Sequence, residues 1–199
     1  MSRVFYQHPT ALVESPQIGP HTRIWAYAHV MAGARIGRDC NVGDHCFIEG
    51  GVEIGDGVTL KNGVMVWEGV RVDNYVFIGP GVVFTNDRRP RSPRFPLVAE
   101  RYRDKRWLVP TVIEEGASIG ANATVLCGLT VGRFAMVGAG AVVTSNVPAH
   151  GLVCGVPARV VGYVSEAGCP LRFGKRGEAR CPETGQRYRL RRGKVVHGD

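Results

Sequence analysis

The sequence predicts an all-β fold in which short strands stack as the coils of a parallel β-helix of hexapeptide repeats. The first observation is an aliphatic residue, once replaced by phenylalanine, at every sixth position. The second is a mostly small residue four positions after it, and the third is an excess of glycine, 27 residues in 199. The repeating positions are Leu12, Ile18, Ile24, Val30, Ile36, Val42, Ile48, Ile54, Leu60, Val66, Val72, Ile78, Phe84, and then Ile113, Ile119, Val125, Val131, Val137 and Val143.

The six-residue period has a direct structural meaning. Side chains alternate between the two sides of an extended segment, and a turn in every repeat redirects the chain. The bulky residue fills the interior, a small residue such as Ala34 or Ala123 fits beside it, and glycine permits a tight corner. An amphipathic helix needs apolar spacings of three and four, which this pattern does not sustain.

Composition narrows the classes of protein. The chain is 44% hydrophobic and 21% charged, as in folded globular proteins. No apolar run approaches the ~20 residues that span a bilayer, and the N-terminus lacks the apolar core of a signal peptide. We therefore expect a cytoplasmic protein without a membrane partner. The six cysteines form no C-x-x-C pair, so neither disulfides nor a metal site are predicted.

The net charge of +8 is concentrated in two segments. Residues 87–111 hold eight basic and three acidic residues, and residues 166–199 hold nine basic and four acidic residues. A nucleic-acid binder more often carries a basic stripe along its main body, so no nucleic-acid partner is predicted. Two local patches better suit a compact polyanion such as a nucleotide or coenzyme A.

The motif of an aliphatic residue, glycine and a small residue, repeated over residues 12–147, resembles the hexapeptide-repeat acyltransferases. This resemblance implies a left-handed parallel β-helix of triangular section with three hexads per coil. It also implies a homotrimer with active sites between subunits. The repeat is specific for the fold and much less so for the reaction.

One long excursion loop, residues 87–111, interrupts the repeat. With eighteen residues per coil, residues eighteen apart are stacked in a column along the helix. Glu49, Trp67 and Thr85 form one such column, and Glu68 and Asn86 belong to the neighbouring one. The excursion is rich in arginine, proline and aromatic residues. We expect proline to keep it extended and arginine to offer forked donors to phosphate. An excursion of this length is usually functional, and it is expected to cover a groove and hold an anionic substrate.

Several segments, including Phe84-Thr85-Asn86-Asp87, Gly120-Ala121-Asn122-Ala123-Thr124 and Gly155-Val156-Pro157-Ala158-Arg159, are similar to bacterial nucleotide-sugar N-acetyltransferases. The nearest resemblance is to enzymes that acetylate UDP-2-acetamido-3-amino-2,3-dideoxyglucuronate, and relatives act on dTDP-3-amino-3,6-dideoxyhexoses. It implies acetyl transfer from acetyl-CoA to the amino group of a UDP- or dTDP-linked sugar in bacterial glycan biosynthesis.

The same resemblance implies a set of site residues. Asn86 is expected at the reacting centre, and Trp67 stands where the family more commonly has tyrosine. The residues expected to contact the substrate are Trp67, Glu68, Asp87 and Arg91. Those expected to contact coenzyme A are Ala121, Ala139 and Arg159.

No histidine lies within residues 84–113. A sugar amine can attack a thioester through its own lone pair, so a missing base suits an amine acceptor better than a hydroxyl. Three alternatives stay open: O-acetylation of a sugar or small hydroxyl acceptor, a carbonic anhydrase with histidines converging on a metal, and a non-catalytic scaffold.

Two units are predicted. Residues 1–165 form the β-helical acetyltransferase domain. Residues 166–199 form a tail that is expected to pack as a β-hairpin on the end of the helix, because short polar strands alternate there with glycine turns.

Overall fold

The computed structural model describes residues 5–198 and confirms the predicted all-β fold. Its main body is a parallel β-helix of about eight turns. Three sheets, called faces A, B and C, run along this body. Each full coil contributes one short strand to face A, then one to face B, then one to face C, which gives the body a triangular section.

The strands are two to five residues long. Face A contains Tyr6–Gln7, Arg23–Ile24, Asn41–Val42, Thr59–Leu60, Phe77–Ile78, Ser118–Ile119, Met136–Val137, Gly151–Cys154 and Arg159–Tyr163. Face B contains Leu12–Val13, His29–Val30, Phe47–Ile48, Met65–Val66, Val83–Phe84, Thr124–Val125 and Val142–Val143. Face C contains Arg35–Ile36, Glu53–Ile54, Val70–Val72, Thr111–Ile113 and Thr130–Val131.

Backbone hydrogen bonds join each coil to the next at a spacing close to eighteen residues. On face A the Asn41 N–H donates to the Val58 carbonyl, and the Thr59 N–H donates to the Val76 carbonyl, both at 2.9 Å. The repeating residues from Ile24 to Val143 are all buried, and their small partners are buried beside them. One apolar core therefore runs through the whole body, as the repeat predicted.

The predicted register is wrong at its first position. Leu12 is 54% exposed and pairs with His29, whereas its neighbour Val13 pairs with the core residue Val30. The first coil has seventeen residues instead of eighteen, so the inward direction shifts by one residue. The regular repeat begins at Ile18, which packs against the core.

The glycines that follow the repeating residues were predicted to permit a tight corner, and the structure shows which property of glycine is used there. Gly120 is one of them, and its φ is not positive. A Cβ atom at Gly120 would lie 2.5 Å from the backbone nitrogen of Ala139 in the next coil. Close approach of two backbones, and not a left-handed conformation, requires glycine at this position.

The excursion leaves the body where it was predicted to leave. Val83 pairs with Thr124, forty-one residues further on, so twenty-three residues are added to one ordinary coil. The expectation that this loop is extended is wrong in part. It contains two 3₁₀ helices, Pro96–Tyr102 and Lys105–Trp107, and proline begins the first of them, where its fixed φ suits a helix start.

The C-terminal tail forms a three-stranded antiparallel sheet, which adds one strand to the predicted hairpin. We call it the tail sheet; its strands are Glu178–Arg180, Arg187–Arg191 and Lys194–His197. Tyr188 from this sheet is fully buried, and its ring lies 5.6 Å from that of His150 at the end of the helix. No helix in residues 5–198 is long and apolar enough to cross a membrane.

The alternation of buried and exposed side chains generates a stability prediction. Ile78 is 0% exposed, and its neighbour Phe77 is 42% exposed. We expect Ile78→Ala to lower the free energy of unfolding by about 2–5 kcal/mol, because it leaves a cavity in the core. Phe77→Ala is the control and should cost less than half as much. Urea denaturation compares the two, and equal losses would contradict the assigned register.

Candidate functional site

The candidate site lies at the corner between faces B and C, called the B/C corner. Trp67 and Glu68 follow the face B strand of one coil, and Asn86 and Asp87 follow that of the next. The structure therefore brings together four of the residues selected from the sequence. Trp67 packs partly against the core, and its ring lies 5.4 Å from that of Phe47.

Asn86 is held by hydrogen bonds to Glu68 in the preceding coil and to Val109 in the returning end of the excursion. Its Nδ2 donates to the Glu68 carbonyl at 3.3 Å, and its own carbonyl accepts from the Val109 N–H at 2.9 Å. No donor within residues 5–198 hydrogen-bonds to Asn86 Oδ1. The amide is therefore fixed in orientation and keeps a free acceptor.

The returning end of the excursion closes onto this corner. The Lys105 ammonium forms an ion pair with the Glu68 carboxylate. Gly69 makes room for Leu108, since a Cβ atom at Gly69 would lie 3.3 Å from the Leu108 side chain. Glu68 is thus an anchor for the loop in this structure, and its backbone N–H donates to Glu49 Oε2 at 2.7 Å.

A second set of contacts fixes the base of the excursion. The Tyr102 hydroxyl donates to Asp87 Oδ2 at 2.7 Å and accepts from the Arg91 backbone N–H at 2.9 Å. Asp87 Oδ1 accepts from the Arg89 N–H at 2.7 Å. Arg91 is exposed, and its guanidinium donates to the Pro90 carbonyl. Asp87 is therefore committed to loop structure, while most of the Arg91 donors face solvent.

Two cavities flank the excursion. One, of about 430 Å³, is lined by Asp87, Arg88, Arg89, Glu100, Arg101, Arg106, Trp107 and Val109. The other, of about 550 Å³, is lined by Thr85, Asp87, Arg88, Pro90, Leu126, Cys127, Leu129 and Thr144. The first has four guanidinium groups against two carboxylates, which suits an anionic ligand. Within the loop, hydrogen bonds from the Arg106 side chain and backbone hold the pKa of Asp104 below its ordinary value.

Two of the residues expected to contact coenzyme A, Ala121 and Ala139, lie at a different corner, between faces A and B. Ala121 and Ala139 occupy successive coils there, and the Gly140 N–H donates to the Ala121 carbonyl at 2.8 Å. Arg159 is exposed and pairs across the last strands with Cys154. A single chain therefore holds the two predicted sets on opposite edges of face B and does not bring them together.

The histidines offer no base at the B/C corner. His150 is buried, its Nδ1 lies 3.0 Å from the Val164 carbonyl, and burial lowers its pKa. His29 lies on face B, three coils before Val83, the strand residue that precedes Asn86. The Nε2 atom of His29 lies 3.3 Å from the Glu14 carboxylate. Hydrogen bonds from the Ala32 N–H and from His29 lower the pKa of that carboxyl group.

Sequence reasoning missed three residues that shape the site: Tyr102, Lys105 and Val109. They touch Asp87, Glu68 and Asn86 respectively. An aromatic residue inside an arginine-rich loop is a weak signal for such a contact. Nothing in the sequence distinguishes Lys105 from the seven arginines around it.

Comparison with known proteins identifies the family. The family described as bacterial transferase hexapeptide (six repeats) matches residues 15–50, 51–86 and 110–145, more than half of the chain. The chain belongs to the bacterial hexapeptide transferase family. This membership agrees with the eighteen-residue coil, since each matched segment is two coils long.

Two relatives and one solved structure refine the comparison within the hexapeptide transferases. The chain is 45% identical over 194 residues, 98% of its length and 95% of the relative's, to dTDP-3-amino-3,6-dideoxy-alpha-D-galactopyranose 3-N-acetyltransferase of Aneurinibacillus thermoaerophilus. It is 51% identical over 57 residues to 2,3,4,5-tetrahydropyridine-2,6-dicarboxylate N-acetyltransferase of Staphylococcus aureus (strain JH9), covering 29% of this chain and 24% of the other.

The solved structure is the acetyltransferase domain of PglB from Neisseria gonorrhoeae FA1090. It superimposes with a TM-score of 0.50 and 26% identity, over 79% of this hexapeptide transferase and 57% of that chain. The present chain thus spans little more than half of the solved one. The likeness supports the shared fold of the helical body.

Removing one hydroxyl tests the closure of the excursion. We expect Tyr102→Phe to loosen residues 87–107, because Asp87 loses a charge-assisted hydrogen bond, the stronger kind. A loss of about 1.5–3 kcal/mol corresponds to a tenfold or larger increase in amide exchange and in tryptic cleavage of the loop. Tyr163→Phe is the matched control, since its hydroxyl donates to the Gly193 carbonyl in the tail. Equal loop exchange in both variants would contradict the assigned contact.

Proposed function

We propose that this hexapeptide transferase moves an acetyl group from acetyl-CoA to the 3-amino group of a dTDP-linked 3-amino-3,6-dideoxyhexose. The 45% identity to a 3-N-acetyltransferase over almost the full length of both chains carries this proposal. The identity of the nucleotide and the position of the amine are taken from that relative. Residues 84–87, at the B/C corner, and residues 120–124, at the corner between faces A and B, are the segments that resemble this group of enzymes. A cytoplasmic location is part of the same proposal.

Asn86 is the proposed catalytic residue. Its Oδ1 is free and its orientation is fixed by the bond from Nδ2 to the Glu68 carbonyl. An acceptor in this position can receive a hydrogen bond from the sugar amine and direct the nitrogen lone pair toward the acyl carbon. Holding two reactants in attack geometry can lower the barrier by about 7–11 kcal/mol.

The excursion is proposed to bind the charged part of the acceptor. Arg88, Arg89 and Arg101 line a cavity beside Asp87, and the guanidinium fork matches the geometry of a diphosphate. The exposed Arg91 is close enough in sequence to join them. Trp67 is proposed to contact the sugar, because it lies beside Glu68 and Asn86 at the same corner. Glu68 and Asp87 serve this site mainly by holding the loop.

The corner between faces A and B fits coenzyme A. Ala121 and Ala139 are small, and a Cβ atom at Gly140 would meet nothing within 4 Å, so the backbone edge is open to a long ligand. Arg159 is exposed in the last strand of the helical body, where it pairs with Cys154, and its guanidinium can pair with a phosphate. Acetyl-CoA, when bound, supplies an activated acyl thioester. Backbone N–H groups along this edge would stabilise the developing oxyanion, typically by about 3–4 kcal/mol per donor.

The active protein is proposed to be a homotrimer, because one chain separates the acceptor corner from the coenzyme corner. Face B lies between the two corners, and its outward side chains include Leu12, Met65 and Val83, which are 46–54% exposed. Face C instead carries an Arg35–Glu53 ion pair on its outer side. Packing face B against neighbouring chains would bury this apolar column and join the two half-sites.

Replacing Asn86 tests the catalytic proposal. We expect Asn86→Ala to lower kcat/KM for the dTDP-linked 3-amino sugar by about 100-fold, since a reactant displaced by about 1 Å can cost that much. Release of free thiol measures the rate. Asn74→Ala is the control: Asn74 Oδ1 receives a backbone N–H, from Asp56, and Asn74 lies between faces C and A, away from the B/C corner. An unchanged kcat/KM would remove Asn86 from the reaction.

The same assay separates the proposed reaction from its alternative. The 3-hydroxy form of the same nucleotide sugar is offered beside the 3-amino form. We expect turnover of the amine only, because no histidine lies at the B/C corner to take the proton from a hydroxyl group. Faster turnover of the hydroxyl form would establish O-acetylation instead.

A charge on face B tests the assembly. We expect Val83→Lys to convert the trimer to monomers and to abolish activity, because burying an unpaired ammonium group is costly. Thr59→Lys adds the same charge to face A and should leave the trimer and the activity unchanged. Light scattering after gel filtration measures the mass. A trimer that survives Val83→Lys would move the interface away from face B.

A further inference from the structure

The outer side of the tail sheet is strongly cationic. Residues directly opposite each other in an antiparallel ladder share one side of the sheet, and Arg189 pairs with both Glu178 and Val196. The opposite side holds Tyr188 and Val195, which are buried in a small core. The basic residues on the outer side are Arg180, Arg187, Arg189, Arg191 and Lys194.

Two pairs of like charges face each other across this sheet. Arg180 lies opposite Arg187, and Arg191 lies opposite Lys194. Like charges directly opposite are destabilising, so folding alone does not favour this arrangement. The one carboxylate on this side of the three strands, that of Glu178, is paired with Arg189 at 3.2 Å.

A concave site lies against these residues. The cavity measures about 460 Å³ and is lined by four arginines, Arg172, Arg180, Arg187 and Arg189, together with Glu178 and Tyr188. Its size falls in the range of small-molecule sites. Within residues 5–198, the guanidinium groups of Arg172 and Arg187 have no carboxylate partner.

We propose that this cavity binds a nucleoside diphosphate through its phosphates, at a site separate from the B/C corner. Arginine forks hold phosphate oxygens bidentately, and a bound dianion would neutralise the opposed pair Arg180 and Arg187. The concave shape favours a small ligand over a nucleic-acid duplex or a membrane, both of which need a broad exposed surface. The diphosphate can come from a nucleotide sugar or from coenzyme A.

Hydrogen exchange of the full chain tests this site, because it reports the tail and the B/C corner separately. The probes are dTDP, coenzyme A and inorganic pyrophosphate. We expect slower exchange in residues 172–189 with pyrophosphate and with at least one of the two nucleotides. The nucleotide that acts at lower concentration identifies the source of the diphosphate.

Two charge-matched variants locate the site. Arg180→Gln with Arg187→Gln removes two charges inside the cavity, and we expect the apparent Kd for pyrophosphate to rise tenfold or more, since hydrogen bonds to charged groups are lost. Arg191→Gln with Arg192→Gln removes two charges outside the cavity, one at the end of the middle strand and one in the turn that follows, and should change the Kd less than threefold. The melting temperature without ligand is compared for both variants, because Arg180→Gln also removes the hydrogen bond from Arg180 Nε to the Gly185 carbonyl.

Three results would overturn the proposal. They are no protection of residues 172–189 by any probe, equal weakening in both variants, and protection by duplex DNA or anionic vesicles in place of the small probes. The kcat of acetyl transfer is measured alongside. If no probe binds the tail cavity but acetyl transfer is normal, only the tail site is wrong. If the probes bind the tail cavity but no acetyl transfer is found, only the proposed function is wrong.

Discussion

The structure depends on backbone hydrogen bonding between coils. Each short strand donates its N–H groups to the carbonyl groups of the next coil at 2.8–3.0 Å on all three faces, so the backbone is satisfied whatever the outward side chains are. The interior requires only one large and one small apolar residue per hexad. Outward positions and corners are then free to carry chemistry, and each coil is stabilised mainly by its neighbours.

Corners, not faces, hold the polar groups that matter for the site. At the B/C corner side chains of one coil accept backbone N–H groups of the next, as Glu49 does for Glu68 and Thr85 does for Cys127. These bonds give the corner a rigid backbone. Asn86 is held on this rigid base, and the excursion is closed over it by Lys105 and Tyr102. Side chains held on a rigid backbone keep a fixed geometry.

Much of the fold could be predicted from the sequence because the repeat states the inward positions directly. The column of Trp67 and the pairing of Glu68 with Asn86 followed from the eighteen-residue coil. The shift at Leu12 could not be predicted, since Leu12 and Val13 are both aliphatic and either reads as the core residue. The contacts of the excursion with the helical body could not be predicted either. The sequence does not show that Lys105 approaches Glu68 or that Tyr102 approaches Asp87.

The excursion adds twenty-three residues without disturbing the pairing of Val83 with Thr124 or of Phe84 with Val125. The coils on either side close against each other as though nothing stood between them. Such a segment can be lengthened, shortened or replaced in evolution while the β-helical body stays folded. With the excursion as the proposed acceptor-binding segment, a change of acceptor requires changes at this one junction and leaves the helical body as it is.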